Sequence, residues 1–404
     1  MRIVAVGTNR PCHYRLIDSG HEVYLAIQDD RVIESDRSRY AGILSIDAEE
    51  GKLLDNSSFP NDVDAVTYFH DAYAQTAVNI ADRARVPHRV DLEIAARFRD
   101  KAATRKIIST IEPGHVAHRV IPSTASDAEA LAIALPVGFP CIAKPLTSEA
   151  SMGVTFASDK VTLANAIKVA RAGSENGSCI VEEHLVGPEF SVESLSIDGL
   201  HYILAVTEKF TYPGTAVECG HVIPASIPEE DQVALAHAAS EVLTKLGLLN
   251  GPSHSEFILT DKGPRLIESH DRMGGDRIGL LVELATGIDY TGLVARLGVG
   301  LKIPPEAIVA KSTAAAAVWF AKAELDTRGV IRAIDGLDSA RCIAFVDRVE
   351  VLKKPGSTIG PLEGSFDRTA LAVAVAPVAE KALTAARDAV ASISFSVEGI
   401  RACS

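Results

Sequence analysis

One segment restricts the folds open to this chain more than any other: residues 252–277, PSHSEFILTDKGPRLIESHDRMGGDR. FILT and PRLIE are apolar runs on either side of Asp261-Lys262-Gly263, a cluster of turn formers, and the pattern predicts a β-hairpin. With the turn centred on Lys262 and no bulge, residues symmetric about that position face each other. Glu256 then falls opposite Glu268, and His254 opposite His270. Strand side chains alternate, so all four share one face. Directly opposed glutamates have Cβ atoms about 5 Å apart, which is destabilising for like charges. A divalent cation removes that repulsion, and carboxylate oxygens suit hard Mg²⁺, which usually shares its shell with phosphate. Two other readings of the pair stay open on the hairpin alone: solvated glutamates on an exposed face, and a general acid/base pair.

The chain around this hairpin reads as α/β and then α+β. Apolar runs RIVAV and EVYLAI flank a segment of helical length, and DVDAVTYF adds a strand followed by a helix, predicting a mostly parallel, Rossmann-like α/β domain over 1–98. Its first turn, GTNRPC, is not GxGxxG, so this domain is expected to shape a substrate cleft and not to bind a dinucleotide. LEIAARFRDKAATRKIIS reads as one long basic helical stretch opening a second domain, 99–305. Within it, strands at CIAKPL, GVTFA and CIVEEHL alternate with helical segments and suggest a small lid subdomain at about 115–185. From 306 to 404, hydrophobic runs broken by GLD, KKPGS and GPLEG point to a C-terminal α+β domain.

The bulk properties exclude several classes. A formal charge of -13 repels phosphate backbones, so nucleic acid is not an expected partner. Six scattered cysteines form no CxxC pair, which argues against a zinc ribbon or a disulfide framework and fits a reducing cytosol. No apolar run approaches the length of a membrane span, and MRIVAVGTNR lacks a signal-peptide core, so a cytoplasmic protein without membrane partners is expected.

Lys144 is the next informative residue. CIAKPL places one ammonium in an otherwise apolar strand, where an unpaired charge is costly. The following loop, LTSEASMGV, offers Ser148, Ser151 and Gly153, and small polar loops of this kind can cradle phosphate. A lysine snorkelling at a strand end remains the alternative.

The motif E-S-H-D-R followed by M-G-G, with a glutamate on the partner strand, resembles the metal-binding hairpin of ATP-grasp enzymes. That resemblance implies Glu256 and Glu268 as Mg²⁺ ligands, Mn²⁺ being an alternative ion, and Arg272 as the residue that stabilises the transferred phosphoryl group or the acyl phosphate. His270 stands where the family usually has Asn; Mg²⁺ prefers oxygen, and substrate contact is the other role open to His270. By the same resemblance Lys101, in Asp100-Lys101, contacts phosphate together with Lys144. The segment CIVEEHLVGPEFSVESL implies Glu182 at the adenine amino group, the backbone near Glu183 and Leu185 at the ring edge, and Glu189 at the ribose.

Within that superfamily, LAVTEKFTYPGTAVECGHVIPASI is similar to the L-amino acid ligases, which share Thr-Glu-Lys-Phe followed by Glu-x-Gly-His. This implies Glu218 and His221 near the amino-acid pocket and Lys209 on phosphate. Glu218 suits an ammonium, and Arg272 with Gly274-Gly275 a carboxylate. Asp276 is expected either at the pocket wall, selecting a basic or amino substrate, or as a helix N-cap. The implied reaction is amide formation from a small carboxylate and an amine through an acyl phosphate, with ATP as co-substrate; a homodimer is a family-level expectation. An ATP-grasp ligase of purine or cofactor metabolism and a non-catalytic nucleotide-binding regulator are the competing readings.

Overall fold

The apolar run β1 (Arg2–Val6) is buried along almost its whole length and pairs in parallel with β2 (Glu22–Ile27) and β4 (Ala65–Tyr68). With β3 (Gly42–Ser45) these form a sheet in the order β3-β2-β1-β4. Runs buried on both faces are what a parallel sheet with covering helices requires. Those helices are α1 (Arg10–Asp18), α2 (Glu34–Arg39) and α3 (Ala74–Ala84). Gly7 ends β1 at φ +94°, where a Cβ would lie 2.4 Å from the Tyr73 ring, so only glycine lets the chain turn here. Asn9 then caps α1. This is a computed structural model, and it describes residues 1–47, 51–55, 58–87, 89–147, 152–323 and 328–399.

The long helical stretch expected after residue 92 is two helices, α4 (Leu92–Arg99) and α5 (Lys101–Ile108). Asp100 separates them: its backbone is extended (φ -92°, ψ 109°), and its carboxylate accepts from the N–H groups of Ala102 and Ala103. Side-chain capping competes with helix continuation, and helical periodicity alone does not reveal which wins. Next comes a four-stranded antiparallel sheet in the order β5-β8-β6-β7, made of β5 (His118–Ile121), β6 (Cys141–Pro145), β7 (Thr155–Ala157) and β8 (Cys179–Glu183). One face packs on α6 (Asp127–Ala134) and α7 (Lys160–Ala172) through Cys141, Ala143, Val181 and Leu163.

The third sheet has eight strands in the order β13-β12-β9-β10-β11-β14-β18-β16. Its strands are β9 (Glu189–Ile197), β10 (Leu200–Thr211), β11 (Glu218–Ile223), β12 (Gly251–Thr260), β13 (Gly263–His270), β14 (Ala315–Ala321), β16 (Val346–Val351) and β18 (Ala370–Ala376). Alternation sorts it into two chemistries. Phe190, Val192, Val206, Phe257 and Leu266 face a core with α8 (Glu229–Leu246). The opposite face carries Glu189, Ser191 and Glu193 on β9, Thr207 and Lys209 on β10, and His221 on β11.

The register of β12 with β13 decides how the hairpin joins this face. His254 pairs with His270 and Glu256 with Glu268, while Phe257 pairs with Leu266. The reading without a bulge therefore needs correcting: the turn is the two residues Asp261-Lys262, and Ile267 is an extra residue in β13. The two departures cancel at Glu256. Because of the bulge, Leu266 lies in the core and Glu268, two residues later, lies on the polar face.

The helices α9 (Ile278–Thr286) and α10 (Tyr290–Gly298) fill the space between the N-terminal sheet and the eight-stranded one. Ile278, Leu281, Val282, Leu293 and Val294 meet Ile3, Leu16 and Leu25 on one side and Val318 and Val373 on the other. No single helix among the described residues is long and apolar enough to cross a membrane. The remaining strands, β15 (Gly329–Asp335), β17 (Thr358–Ile359) and β19 (Ser394–Gly399), form a small separate sheet, while α11 (Leu337–Arg341) and α12 (Ala379–Ala391) pack on the eight-stranded one, α12 through Ala382, Ala385 and Ala386. The run after residue 305 is thus shared between this sheet and the eight-stranded one, which continues across it through β11 and β14.

Candidate active site

The polar face of the large sheet floors a cleft of about 930 Å³. Its walls come from three parts of the chain: Thr8 and His70 after strands of the first sheet, Arg272–Gly279 in the loop after β13 and the start of α9, and Phe366 with Arg368 from the C-terminal region. Glu218, His221, Arg272, Gly274, Gly275 and Asp276 all line it, as do Glu256, Glu268, His270 and Lys209. The structure therefore brings these residues to one cleft, with Thr8 and His70 of the N-terminal domain in its wall.

At the floor, Lys209 is buried among three carboxylates. Its Nζ lies 2.6 Å from Glu189, 2.6 Å from Glu256 and 3.4 Å from Glu218. Burial opposes the ammonium charge, but the three carboxylates outweigh it and raise the Lys209 pKa well above the ordinary lysine value. Burial raises the Glu189 carboxyl, partly countered by Lys209. Oxygens of Glu189, Glu218 and Glu256 lie close enough together to hold one cation.

Glu268 meets a different cation. Lys101, the first residue of α5, places Nζ 3.1 Å from its Oε2. Burial again works against the charged form, yet Lys101 and His270 hold the Glu268 carboxyl well below the usual range. His270 Nε2 lies 3.2 Å from Glu268 Oε1, and its Nδ1 is a buried polar atom without a hydrogen bond.

One helical turn beyond Lys101, on the same side of α5, stands Arg105, which the sequence reading overlooked. Its guanidinium is buried and bonds Glu182 at 2.5 and 3.0 Å and the carbonyls of Leu266 and Ile267 at 2.7 and 3.2 Å. Those carbonyls belong to the bulge, whose backbone groups lose regular ladder partners. Lys144 Nζ completes the group at 2.9 Å from Glu182. Burial pushes the Glu182 carboxyl up; Arg105 and Lys144 outweigh it and hold it below the carboxylate range. The Lys144 ammonium is thus paired, and the Glu182 carboxylate, expected at an adenine amino group, is held by two buried cations. Glu183 accepts from the Ala117 N–H at 2.7 Å, and Leu185 is half-buried beyond β8. Gly153 turns at φ +75° against Pro145. Ser148 and Ser151 lie outside the described residues.

Asp276 also needs correcting. It caps no helix: α9 follows Arg277, and Asp276 itself sits at φ 51°. Its carboxylate is gripped by both terminal nitrogens of Arg368, one at 2.7 Å, and lies 3.2 Å from His221 Nε2. Arg368 stacks 3.8 Å over the Phe320 ring and donates to the Glu218 carbonyl. Nothing in local sequence marks Arg368, because its partners lie 92 and 150 positions away. Arg272 lies 3.6 Å from Asp71 through Nε, a buried group with no hydrogen bond.

A family model for the ATP-grasp domain matches residues 137–279, and one for the L-amino acid ligase C-terminal domain 2 matches 325–398. The chain carries an ATP-grasp domain followed by an L-amino acid ligase C-terminal domain. The eight-stranded floor and the four-stranded sheet are thus parts of an ATP-grasp fold. Over 98% of its length the chain superposes on an L-amino acid ligase from Bacillus licheniformis, covering 99% of that chain with a TM-score of 0.83 at 20% identity. It is 27% identical over 340 residues to the protein y4rH of Sinorhizobium fredii, covering 83% of this chain and 69% of that one. It is also 27% identical over 181 residues to the alanine–anticapsin ligase of Bacillus subtilis, and 28% identical over 194 residues to a D-alanine–D-alanine ligase of Anaeromyxobacter sp.. Those last two alignments cover 39% and 47% of this chain, and span 38% and 62% of the relatives' own lengths. ATP-grasp enzymes use ATP with a divalent metal.

Proposed function

We propose that this ATP-grasp ligase joins a small carboxylate, an amino acid or related acid, to an amine through an acyl phosphate, releasing ADP and phosphate. The observation that carries the reading is the single polar sheet face on which Glu256 and Glu268 stand opposite each other, with Lys101, Lys209 and Arg272 beside the same cleft. Paired carboxylates with adjacent cations suit a nucleoside triphosphate and its metal, and such sites act by placing charge where a phosphoryl group transfers.

The donor set fits Mg²⁺: Glu256 and Glu268 supply hard carboxylate oxygens, with Glu189 and Glu218 next to Glu256. Glu256 and Glu268 would hold the ion, which would supply positive charge against the phosphates. In this reading Lys101 and Lys144 contact phosphates, and Gly153 belongs to the loop over them. The strand-end backbone at Glu183 and Leu185 meets the base, and Glu189 meets the ribose. A substrate carboxylate oxygen attacks the γ-phosphorus, the bond to ADP breaks, and Arg272 offsets the charge on the transferred group. The neutral amine then attacks the acyl carbon, its nitrogen loses a proton, and phosphate leaves.

In this reading Glu218 and His221, both lining the cleft, meet the amine and its side chain. Because Arg368 neutralises Asp276, recognition of an ammonium falls to Glu218 in this reading. Residues 1–98 supply one cleft wall, 99–305 the nucleotide site with a lid at about 115–185, and 306–404 the Arg368 wall.

The test is phosphate release from ATP and Mg²⁺ across a matrix of paired amino acids and small carboxylates, with mass spectrometry of products. Phosphate formed only with particular pairs, with the matching amide mass, supports the reading. ADP without any amide, or tight ATP binding without turnover, contradicts it.

A further inference from the structure

A line of contacts runs along the polar floor from β9 to Glu256. Glu193 on β9 has no exposed surface. Its Oε1 accepts from Ser191 at 2.8 Å and Thr207 at 3.4 Å, and its two oxygens lie 2.8 and 3.0 Å from His254 Nδ1. His254 is 4% exposed, and its Nε2 lies 2.9 Å from Glu256 Oε1. Carboxylate oxygens only accept, so an imidazole between two carboxylates donates from both nitrogens.

The arrangement is built by register. Glu193 pairs with His254 and Ser191 with Glu256 across β9 and β12. It is also sealed from above. A Cβ on Gly274 would lie 2.8 Å from His254 Nδ1 and 3.3 Å from Glu193 Oε2, so the loop after β13 lies directly on the pair. His270 mirrors the scheme for Glu268, and the two imidazoles stack 6.2 Å apart at 16°. On Glu256 both His254 and Lys209 contact Oε1, which fixes the direction in which Oε2 is presented.

We propose that Glu193 and His254 are positioning residues for the cation site: Glu193 sets the His254 ring, and His254 sets the Glu256 carboxylate. This rests on the reading of Glu256 as a metal carboxylate. Neither residue needs to touch the ion; groups that orient a ligand in this way change metal affinity by about 10–100-fold when lost.

The experiment measures Mn²⁺ binding to the full chain by electron paramagnetic resonance of free Mn²⁺, with a non-hydrolysable ATP analogue present. H254N keeps a group near the Nδ1 position and loses the contact to Glu256; H254Q places an amide near the Nε2 position. H254N is expected to weaken Mn²⁺ at least about 10-fold, H254Q to recover most of that loss, and E193Q to fall between them. Circular dichroism establishes that each variant is folded, and E193Q and H254Q carry the test if H254N is not. Native-like Mn²⁺ affinity in H254N and E193Q, with affinity lost in E256Q, overturns the positioning role alone. Native-like affinity in E256Q as well overturns it together with the reading of Glu256 on which it rests.

Discussion

Arg368 closes with both terminal nitrogens on the carboxylate of Asp276, and so joins the C-terminal region to the loop that follows the glutamate hairpin. Burial would raise the Asp276 carboxyl, but hydrogen bonds from His221 and Arg368 hold it far below the ordinary carboxylate range. The wall the pair forms presents little net charge.

Replacing Arg368 by alanine should therefore do two things. It should cost roughly 3 kcal/mol of stability, because a mostly buried carboxylate loses its partner. It should also turn the acceptor preference toward amines with a cationic side chain, since the ionised Asp276 carboxylate loses the guanidinium that offsets it. R368K should rescue poorly, because an ammonium cannot reproduce the two-point grip. Denaturant titration and a substrate matrix read the two effects separately, and an unchanged preference in a folded R368A protein would rule out a selective role for the pair.

Glu268→Gln should remove at least about 100-fold of turnover, a barrier increase of roughly 2.7 kcal/mol, while the protein stays folded. Phosphate release measures the first and circular dichroism the second. Retention of full activity would show that the glutamate pair is not the catalytic centre.

Lys209→Met leaves Glu189, Glu218 and Glu256 facing one another without the ammonium that lies within 3.4 Å of each. The expected loss is on the order of 3 kcal/mol or more. Millimolar MnCl₂ should restore more of the melting temperature in K209M than it adds to the native chain, because a divalent cation can take the ammonium's place. Equal shifts in both proteins would count against this account of the cluster.

His13 gives a pH dependence that can be isolated. It is buried beneath the first sheet, bonded through Nδ1 to the Tyr40 hydroxyl at 2.8 Å, and burial pushes its pKa down to about 3. The folded value lies below the unfolded one. As pH falls from 6.5 toward 3 the unfolded chain therefore binds the proton first, and stability declines by up to about 1.4 kcal/mol per pH unit. Asp271 acts in the opposite direction. Burial and the Asp71 charge push its carboxyl up to about 6, so it takes a proton in the folded state over part of the same window. The difference between native and H13N stability from pH 6.5 to 4.5 isolates the histidine, and the native chain should lose more. Parallel curves would place His13 in a more hydrated setting than its burial implies.

Local pattern carried part of this site and not the rest. Glu256 and Glu268 could be paired by counting outward from a turn, because hairpin partners are close in sequence and alternation fixes their face. The Ile267 bulge was invisible to the same count, since its carbonyls are stabilised by Arg105, 161 and 162 positions away. Lys144 looked like a lone charge because its partner stands on another strand, 38 positions on. Arg368 and Glu193 carried no local mark at all. The parallel N-terminal sheet was legible for the opposite reason: each β-α-β step is contiguous, and its buried strands are plain apolar runs. Helical periodicity did not mark the break at Asp100, because a capping carboxylate and a solvated one look alike in a helical pattern.

The pairing of β11 with β14 also limits how this enzyme can be cut or recombined. Ala315–Ala321 is an interior strand, hydrogen-bonded on one side to the strand that carries His221 and on the other to β18. A fragment ending near residue 305 would leave β11 with a row of open backbone groups, a template for intermolecular pairing. Such a fragment should precipitate before its nucleotide site can be assayed. Grafting the C-terminal region of one relative onto another is a transplant into the middle of a sheet, and the strand bearing Glu218 and His221 has to travel with it.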